Sequence, residues 1–257
     1  MSRVLAVTSQ KGGIGKTTTA ANLAVAWGLM GRRVLAIDLD PQFAMTRRFG
    51  RAPGDAPATA FELLAGDGEL NGAVLIEVEP GVDLLAAKRE LTKLELSLAG
   101  EHHREQFLAD LLHEAVEGYD DVVIDCPPSL GLLTVNALVA ADEVVVPVDM
   151  TDEGALQGAA EVRAIVARLA KRAPIAVRAL VRTMVDRRRV VYQRMAAGLE
   201  DLHLPVAETE VPLTAAFQNA AAERRPLLAW RPDSAGALAY WRLARELADA
   251  DKNGRPA

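Results

Sequence analysis

The residues best suited to chemistry in this chain form a glycine-rich loop close to its first residues. The run K-G-G-I-G-K-T-T extends from Lys11 to Thr18. Its glycines let backbone N–H groups turn toward an anion, Lys16 offers a positive charge to outer phosphates, and Thr17 has a hydroxyl that can bind Mg²⁺. The loop therefore predicts a nucleotide phosphate site, and its residues are Lys11, Gly12, Gly13, Ile14, Gly15, Lys16, Thr17 and Thr18.

Two positions distinguish this loop from the common pattern GxxxxGK[ST]. Gln10 stands where that pattern has glycine, and Lys11 is a lysine beyond those that such a loop needs. A simple glycine-rich turn between a strand and a helix is the alternative interpretation. Three glycines, a lysine and two threonines rarely occur at this spacing by chance, so the phosphate site is favoured. Lys11 needs its own explanation.

Acidic residues follow two of the predicted strands. Asp38 and Asp40 fall on the same side of an extended chain, and Pro41 stops the strand behind them. Asp125 ends the apolar run V-V-I-D, as the Walker B carboxylate does in Mg²⁺-dependent nucleotide hydrolases. Acidic turns that merely improve solubility are the alternative. We expect Asp38 and Asp125 to join Thr17 at a metal ion. Of the two carboxylates at Asp38 and Asp40, one would face this metal and the other would orient water toward the γ-phosphate.

Apolar runs alternate with stretches of helical spacing, which predicts an α/β fold with a doubly wound, mostly parallel sheet and helices on both faces. The loop would then join a strand end to a helix N-terminus, where the helix dipole favours an anion. One domain over residues 1–250 and a polar, frayed tail over 251–257 are expected, with a variable surface excursion at 47–81. The predicted strands are Val4–Thr8, Val34–Asp38, Val82–Ala86, Asp121–Asp125, Glu143–Val148, Ala176–Val181 and an edge segment near Val206–Val211. The predicted helices are Thr17–Met30, Phe61–Leu64, Glu101–Ala115, Leu132–Ala140, Ala155–Ala170, Val191–Leu199 and Gly236–Ala250.

Composition narrows the classes of protein that fit. The chain has 257 residues, of which 50% are hydrophobic and 25% charged, as is usual for a soluble domain. Its single cysteine excludes an intrachain disulfide, and the early first strand leaves no room for a signal peptide, so we expect a cytoplasmic protein.

The net charge of -6 hides two arginine clusters that suggest a local basic patch, although solvated helix faces explain such runs equally well. The clusters are Arg182, Arg187, Arg188, Arg189 and Arg194, and Arg224, Arg225, Arg231, Arg242 and Arg245.

Taken together, the motifs resemble those of the ParA/Soj partition ATPases, which carry a deviant Walker A loop. The matching segments are K-G-G-I-G-K-T-T-T-A-A-N-L-A, D-L-D-P-Q and V-V-I-D-C-P-P-S-L-G-L-L-T-V-N-A-L, with further agreement along most of the chain. The resemblance implies a P-loop ATPase that uses ATP and Mg²⁺ and turns over slowly. It also explains Lys11, which in this family crosses a dimer interface to the phosphates held by the other subunit. Lys11, Lys16 and Asp40 would then be the catalytic residues, with Asp40 positioning the attacking water.

The same resemblance implies partners. Met184 and Pro212 would flank the adenine, and the ATP-bound homodimer would bind double-stranded DNA without sequence preference at Arg188 and Arg225. A ParB-like centromere-binding protein would stimulate hydrolysis, and the protein would associate with the nucleoid. The chain departs from the family where Thr214 and Ala216 replace the usual asparagine and arginine. Other arginines are possible replacements for the missing contact, namely Arg187, Arg189 and Arg224.

Three alternatives remain. A related ATPase that positions a protein cargo would have the same motifs. A membrane-cycling relative of the MinD kind would need a basic, apolar helix near its end, and the tail A-D-A-D-K-N-G-R-P-A does not have these residues. A metal-cluster or ligase relative would need further cysteines or would lack the lysine at position 11, so we expect neither cluster chemistry nor membrane attachment.

Overall fold

A computed structural model of the chain describes residues 2–98 and 101–254. Its strands are β1 Arg3–Val7, β2 Val34–Asp38, β3 Leu75–Glu79, β4 Val82–Leu85, β5 Asp121–Asp125, β6 Glu143–Asp149 and β7 Ala176–Thr183. The longer helices are α1 Lys16–Leu29, α6 Phe107–Ala115, α7 Leu132–Ala140, α8 Gly154–Leu169, α9 Val190–Glu200 and α12 Ala235–Gly254. The shorter helices are α2 Ala44–Arg48, α3 Ala60–Leu64, α4 Leu70–Ala73, α5 Leu91–Ser97, α10 Ala216–Ala222 and α11 Leu227–Trp230.

The strands form one seven-stranded sheet in the order β3-β4-β2-β5-β1-β6-β7. Every pairing is parallel except that of β3 with β4. The central strands β1, β2 and β5 are buried along their whole length, because helices cover both faces of the sheet. Along β1, Val4 and Ala6 belong to one apolar core, while Leu5 and Val7 belong to the other. The predicted fold class is therefore confirmed.

The two faces carry different helices. One core contains buried residues of α1, α2, α11 and α12, and Trp27 and Tyr240 are its largest fully buried side chains. The other core contains buried residues of α3 to α9. Within the described residues, no helix is both long and apolar enough to cross a membrane.

The prediction was wrong at both edges of the sheet. Strand β3 was missed because its residues do not alternate cleanly: Ile76 is 75% exposed and Glu77 has a φ of +53°. The segment near Val206–Val211 makes one isolated bridge to the sheet, between Val206 and Leu180 of β7, instead of a strand. The reason is that the N–H groups of Glu208 and Thr209 donate to the carboxylate of Glu246, so they are not available for a strand ladder.

Helix ends also differ from the expected ones. The helix predicted over Glu101–Ala115 begins only at Phe107, because the chain turns at His103, which has a φ of +59°. Helices α2, α4, α5, α10 and α11 were not predicted, since each has seven residues or fewer. Helix α12 continues to Gly254, so most of the tail that we expected to fray is helical. Residues 255–257 of that tail lie outside the described residues.

Candidate functional site

The topology brings the predicted site residues to one edge of the sheet. Strands β2, β5 and β1 are neighbours, and Asp125 pairs in register with Asp38 on one side and with Val7 on the other. Parallel strands end at the same edge, so the loop after β1 lies beside both carboxylates. This is the place where open α/β sheets bind their ligands.

The loop between β1 and α1 has the backbone of an anion site. Gly13 and Gly15 have φ values of +78° and +98°, which side chains with a Cβ rarely adopt. Gly15 precedes α1, and no side chain of the described residues caps the helix there. The first N–H groups of α1 therefore have no partner within the helix, and a phosphate would satisfy them. Ile14 is buried, so it offers a ligand only its backbone.

A threonine on another strand fixes this loop from behind. The Thr183 hydroxyl, at the end of β7, donates to the Ile14 carbonyl oxygen over 2.9 Å. A Cβ at Gly15 would lie 3.8 Å from a methyl carbon of Thr183. Thr183 is therefore a positioning residue that spacing along the chain did not reveal.

The buried side chain of Lys16 bonds back to the start of the loop. Its ammonium donates to the Lys11 carbonyl oxygen over 2.7 Å, and only 6% of the residue is exposed. Burial lowers the pKa of Lys16, while the negative charges of Asp125 and Asp40 act in the opposite direction. The cation is thus held where the outer phosphates of a nucleotide would lie.

Asp38 fixes the loop that follows β2. One of its oxygens accepts the Asp40 N–H over 3.1 Å. The other accepts both the N–H and the hydroxyl of Thr46, each over 2.8 Å. The Thr46 hydroxyl in turn accepts the Ala87 N–H over 3.1 Å. Burial raises the pKa of Asp38 to about 6, although these hydrogen bonds lower it. Both oxygens of Asp38 therefore already have partners, and its role at a metal stays a prediction.

Asp125 is the carboxylate with unused oxygens. It is fully buried, and neither of its oxygens has a hydrogen-bond partner among the described residues. Burial raises its pKa well above the usual value and the charge of Asp38 adds to this, while the Thr17 hydroxyl, which lies nearby but outside hydrogen-bonding geometry, acts in the opposite direction. A buried carboxylate beside a threonine hydroxyl suits Mg²⁺, which takes one or two carboxylates and completes its shell with phosphates and water. Asp125 and Thr17 therefore fit the predicted ion.

Asp40 lies at the rim of the same site. Its side chain accepts the Gln42 N–H over 2.9 Å, and its carbonyl accepts the Phe43 N–H over 2.7 Å. Phe43 has a φ of +43°, so the turn from Asp40 to Phe43 is tight. The charge of Asp40 acts on Lys16, which places the carboxylate near the predicted phosphates.

Lys11 contacts its own chain. Its ammonium forms an ion pair with Asp152, which lies just before α8, and both side chains are about 40% exposed. The other Asp152 oxygen accepts the Gly154 N–H over 2.9 Å. Asp152 was not singled out in the sequence, since an acidic residue before a helix is common.

Met184 and Pro212 come together across the loops that follow β7. Val185 pairs with Pro212 in an isolated bridge, and the Leu213 N–H donates to the Val185 carbonyl over 3.0 Å. Met184 has a φ of +54°. The Thr214 hydroxyl accepts the Ala216 N–H at the start of α10. Met184 and Pro212 therefore lie close to one another, and their contact with an adenine base stays a prediction.

The arginines predicted to bind DNA lie toward opposite edges of the sheet. Arg187 pairs with Glu210 over 2.8 Å, and Arg188 and Arg189 both pair with Asp186, all beyond the end of β7. Hydrogen bonding to Arg188 lowers the pKa of Asp186 to about 2. Arg225, in contrast, lies 3.7 Å from Glu79 of β3, the strand at the other edge, and Arg224 precedes it. These five arginines therefore do not form one local patch, whereas Arg242 of the second cluster lies beside Arg187.

Comparison with known proteins identifies the family. Residues 2–178 match a sequence family described as an AAA domain. The sporulation initiation inhibitor protein Soj of Bacillus subtilis is 33% identical over 96% of this chain and 99% of its own. The chromosome partitioning protein ParA of Caulobacter vibrioides is 34% identical over 98% of this chain and 96% of its own. This chain belongs to the ParA/Soj family of P-loop ATPases.

Solved structures agree with the ParA/Soj assignment. A Mycobacterium smegmatis protein titled cobyrinic acid a,c-diamide synthase, solved with ADP and magnesium, is 33% identical and has a TM-score of 0.86. The match covers 99% of this chain and 97% of that one. The cell division ATPase MinD of Pyrococcus furiosus is 25% identical with a TM-score of 0.82, over 97% of this chain and all of its own.

Thr46 supplies a first prediction about stability. Thr46→Val removes the hydroxyl that joins Asp38 to the Ala87 N–H, so we expect the free energy of unfolding to fall by about 1–3 kcal/mol, since buried groups lose their partners. Urea denaturation measures this loss. Thr92→Val is the matched control, because among the described residues the exposed Thr92 hydroxyl bonds only the Arg89 carbonyl oxygen within its own turn. Equal stability of the two variants would contradict the role given to Thr46.

The pKa of Asp38 supplies a second prediction. Its folded-state pKa of about 6 lies above the unfolded value of about 3.9, so the folded state binds the proton more tightly. Without metal and nucleotide, stability should therefore decrease as the pH rises from about 4 to about 6. Urea denaturation in chelator across this range should show a steeper decrease for the wild type than for Asp38→Asn. Exposed Asp67→Asn should behave as the wild type, and identical slopes for all three would rule out Asp38 as the source.

Proposed function

We propose that this protein is an ATP-dependent DNA partitioning ATPase that separates chromosome or plasmid copies. The single observation that carries the proposal is the phosphate loop with two lysines, whose Lys16 lies beside a buried Asp125 with unpaired oxygens. Relatives named for chromosome partitioning, which match nearly the whole chain, support it. The geometry suits transfer of a phosphoryl group from ATP to water.

Each residue of the site would have one task. Lys16 and the amides of Gly13 to Thr18 would bind the phosphates, and Thr17 and Asp125 would hold Mg²⁺. Bound there, the ion would neutralise charge on the β- and γ-phosphates. Asp40 would accept a hydrogen bond from the attacking water and orient it. Met184 and Pro212 would lie on either side of the adenine.

Lys11 would make ATP a signal for dimerisation. In a dimer that encloses ATP between two subunits, the lysine of one chain would reach the phosphates held by the other. It would add a cation where negative charge develops during transfer, as an arginine finger does. In the single chain Lys11 pairs with Asp152, so dimerisation exchanges that contact for a phosphate.

DNA binding would depend on the dimer. Arginines on each subunit would contact phosphates of any duplex, and this would associate the protein with the nucleoid until a ParB-like partner stimulates hydrolysis. Slow turnover without the partner would make the ATPase a timer. The same cycle would serve a protein cargo in place of a DNA cargo, and the identity of the partner would separate these two cases. We propose one ATPase domain over residues 1–250.

The central experiment uses Asp40→Ala. Because this change removes the group that orients water but leaves the phosphate contacts, the variant should bind ATP, dimerise and stay on DNA without hydrolysis. DNA binding with ATP and with ADP, read by fluorescence anisotropy, tests this. Lys16→Ala is the control and should bind no nucleotide. An enzyme of diamide synthesis would show no nucleotide-dependent change in DNA binding, and that result would refute the proposal.

Asp152 offers a test of the dimer model. Asp152→Asn removes the partner that holds Lys11 in its own chain, so ATP should drive dimerisation at lower protein concentration. The shift should be no more than about thirtyfold, because each dimer exchanges two exposed ion pairs and each pair contributes about 0–1 kcal/mol. Analytical ultracentrifugation with ATP and Mg²⁺ measures it, and Lys11→Ala should remain monomeric. Dimers of Lys11→Ala, or weaker dimers of Asp152→Asn, would contradict the exchange.

A further inference from the structure

Two basic segments that are far apart in the sequence lie against each other. Helix α2 ends in a turn that continues to Arg51. In this turn the Gly50 N–H donates to the Arg47 carbonyl oxygen, and the Arg51 N–H donates to the Thr46 carbonyl oxygen. A Cβ placed at Gly50 would lie 3.7 Å from the carbonyl oxygen of Arg224, in the loop after α10. The excursion expected to be a variable surface therefore contributes to the same surface as the second arginine cluster. We call the surface that carries Arg47, Arg51 and Arg224 the α2 basic surface.

The charges on this surface are largely uncompensated. Arg47, Arg51 and Arg224 are exposed, and within the described part of the chain none of the three forms an ion pair. The Arg47 guanidinium lies 4.9 Å above the ring of Phe43, which orients it without neutralising it. By contrast, Arg187, Arg188 and Arg189 each pair with a carboxylate. An anion would have to compete with Glu210 and Asp186 for those three arginines.

The α2 basic surface is also attached directly to the nucleotide site. Helix α2 begins at Ala44, immediately after the turn that holds Asp40. Thr46 of this helix makes two hydrogen bonds to Asp38. The neighbouring Arg48 is partly buried. Burial lowers the pKa of its guanidinium, and the negative charge of Asp125 acts in the opposite direction. A movement of the loop that carries Asp40 would therefore move Arg47 and Arg51.

We propose that Arg47, Arg51 and Arg224 bind the phosphodiester backbone of double-stranded DNA and contribute more to DNA affinity than Arg187, Arg188 and Arg189. This inference rests on the proposed function. Guanidinium groups suit phosphate because their planar donors bind two oxygens at once. Contacts of this kind carry no sequence information, so binding would depend on salt and not on base sequence.

Salt-dependent DNA binding tests the proposal. The triple variant Arg47→Gln, Arg51→Gln, Arg224→Gln should bind a duplex of arbitrary sequence at least about tenfold more weakly at moderate salt, with ATP and Mg²⁺ present. The slope of log affinity against log salt should fall by about 0.9 for each DNA phosphate that the variant no longer neutralises. Fluorescence anisotropy at several KCl concentrations gives both values.

Two further triple variants make the comparison specific. Arg168→Gln, Lys171→Gln, Arg172→Gln removes the same charge from exposed positions at the end of α8 and should leave DNA affinity nearly unchanged. Arg187→Gln, Arg188→Gln, Arg189→Gln should lose less affinity than the α2 surface variant. A larger loss in this last variant, or equal losses in all three, would overturn the proposal.

Separate measurements test whether the variants fold and whether DNA is the ligand. ATP turnover and thermal midpoint should be retained in the α2 surface variant, and exposed Arg51→Gln alone should still reduce the salt slope if the triple variant fails to fold. Absence of DNA binding by the wild type with ATP would refute the proposed function itself, and this proposal with it. Binding of the wild type to phosphatidylglycerol vesicles but not to the duplex, lost in the α2 surface variant, would overturn the assignment to DNA.

Discussion

The structure depends on two buried carboxylates held side by side at the ends of neighbouring strands. Asp38 and Asp125 are in register on β2 and β5, and both are fully buried. Burial of two negative charges is unfavourable, which is why the pKa of each carboxyl is raised. The surrounding groups compensate differently: Thr46 and the Asp40 N–H bind Asp38, whereas Asp125 has only nearby Lys16 and Thr17. The carboxylate without a hydrogen-bond partner among the described residues is the one beside the phosphate loop.

In this arrangement the carboxylates of Asp38 and Asp125 have different roles. The bonds to Asp38 fix the start of α2, so the loop that carries Asp40 has one defined path. The unused oxygens of Asp125 favour a cation, and Lys16 is held at the same place by the Lys11 carbonyl. A site with this unequal division needs a metal and phosphates to complete it. The same bonds that fix the loop also connect the site to the α2 basic surface.

Much of the fold was predictable from local patterns. Central strands such as β2 and β5 were predicted to the residue, because a strand buried on both faces is a short apolar run with clear ends. The edges were not predictable, since edge strands have no uniform burial. Leu75–Glu79 pairs despite an exposed isoleucine, and Val206–Val211 fails to form a strand because of a glutamate in α12. Both outcomes depend on contacts that are distant in sequence.

The sequence by itself determined the chemistry of this protein. Glycines, lysines, threonines and strand-end aspartates predict a phosphate loop and its metal ligands through residue types and short spacings. Only the tertiary structure decided which groups meet. It brought Thr46 to Asp38, Asp152 to Lys11, and the turn at Gly50 to Arg224. It also placed Arg187 beyond β7 and Arg225 beside β3, because sheet order puts these strands at opposite edges, and strand order does not follow chain order.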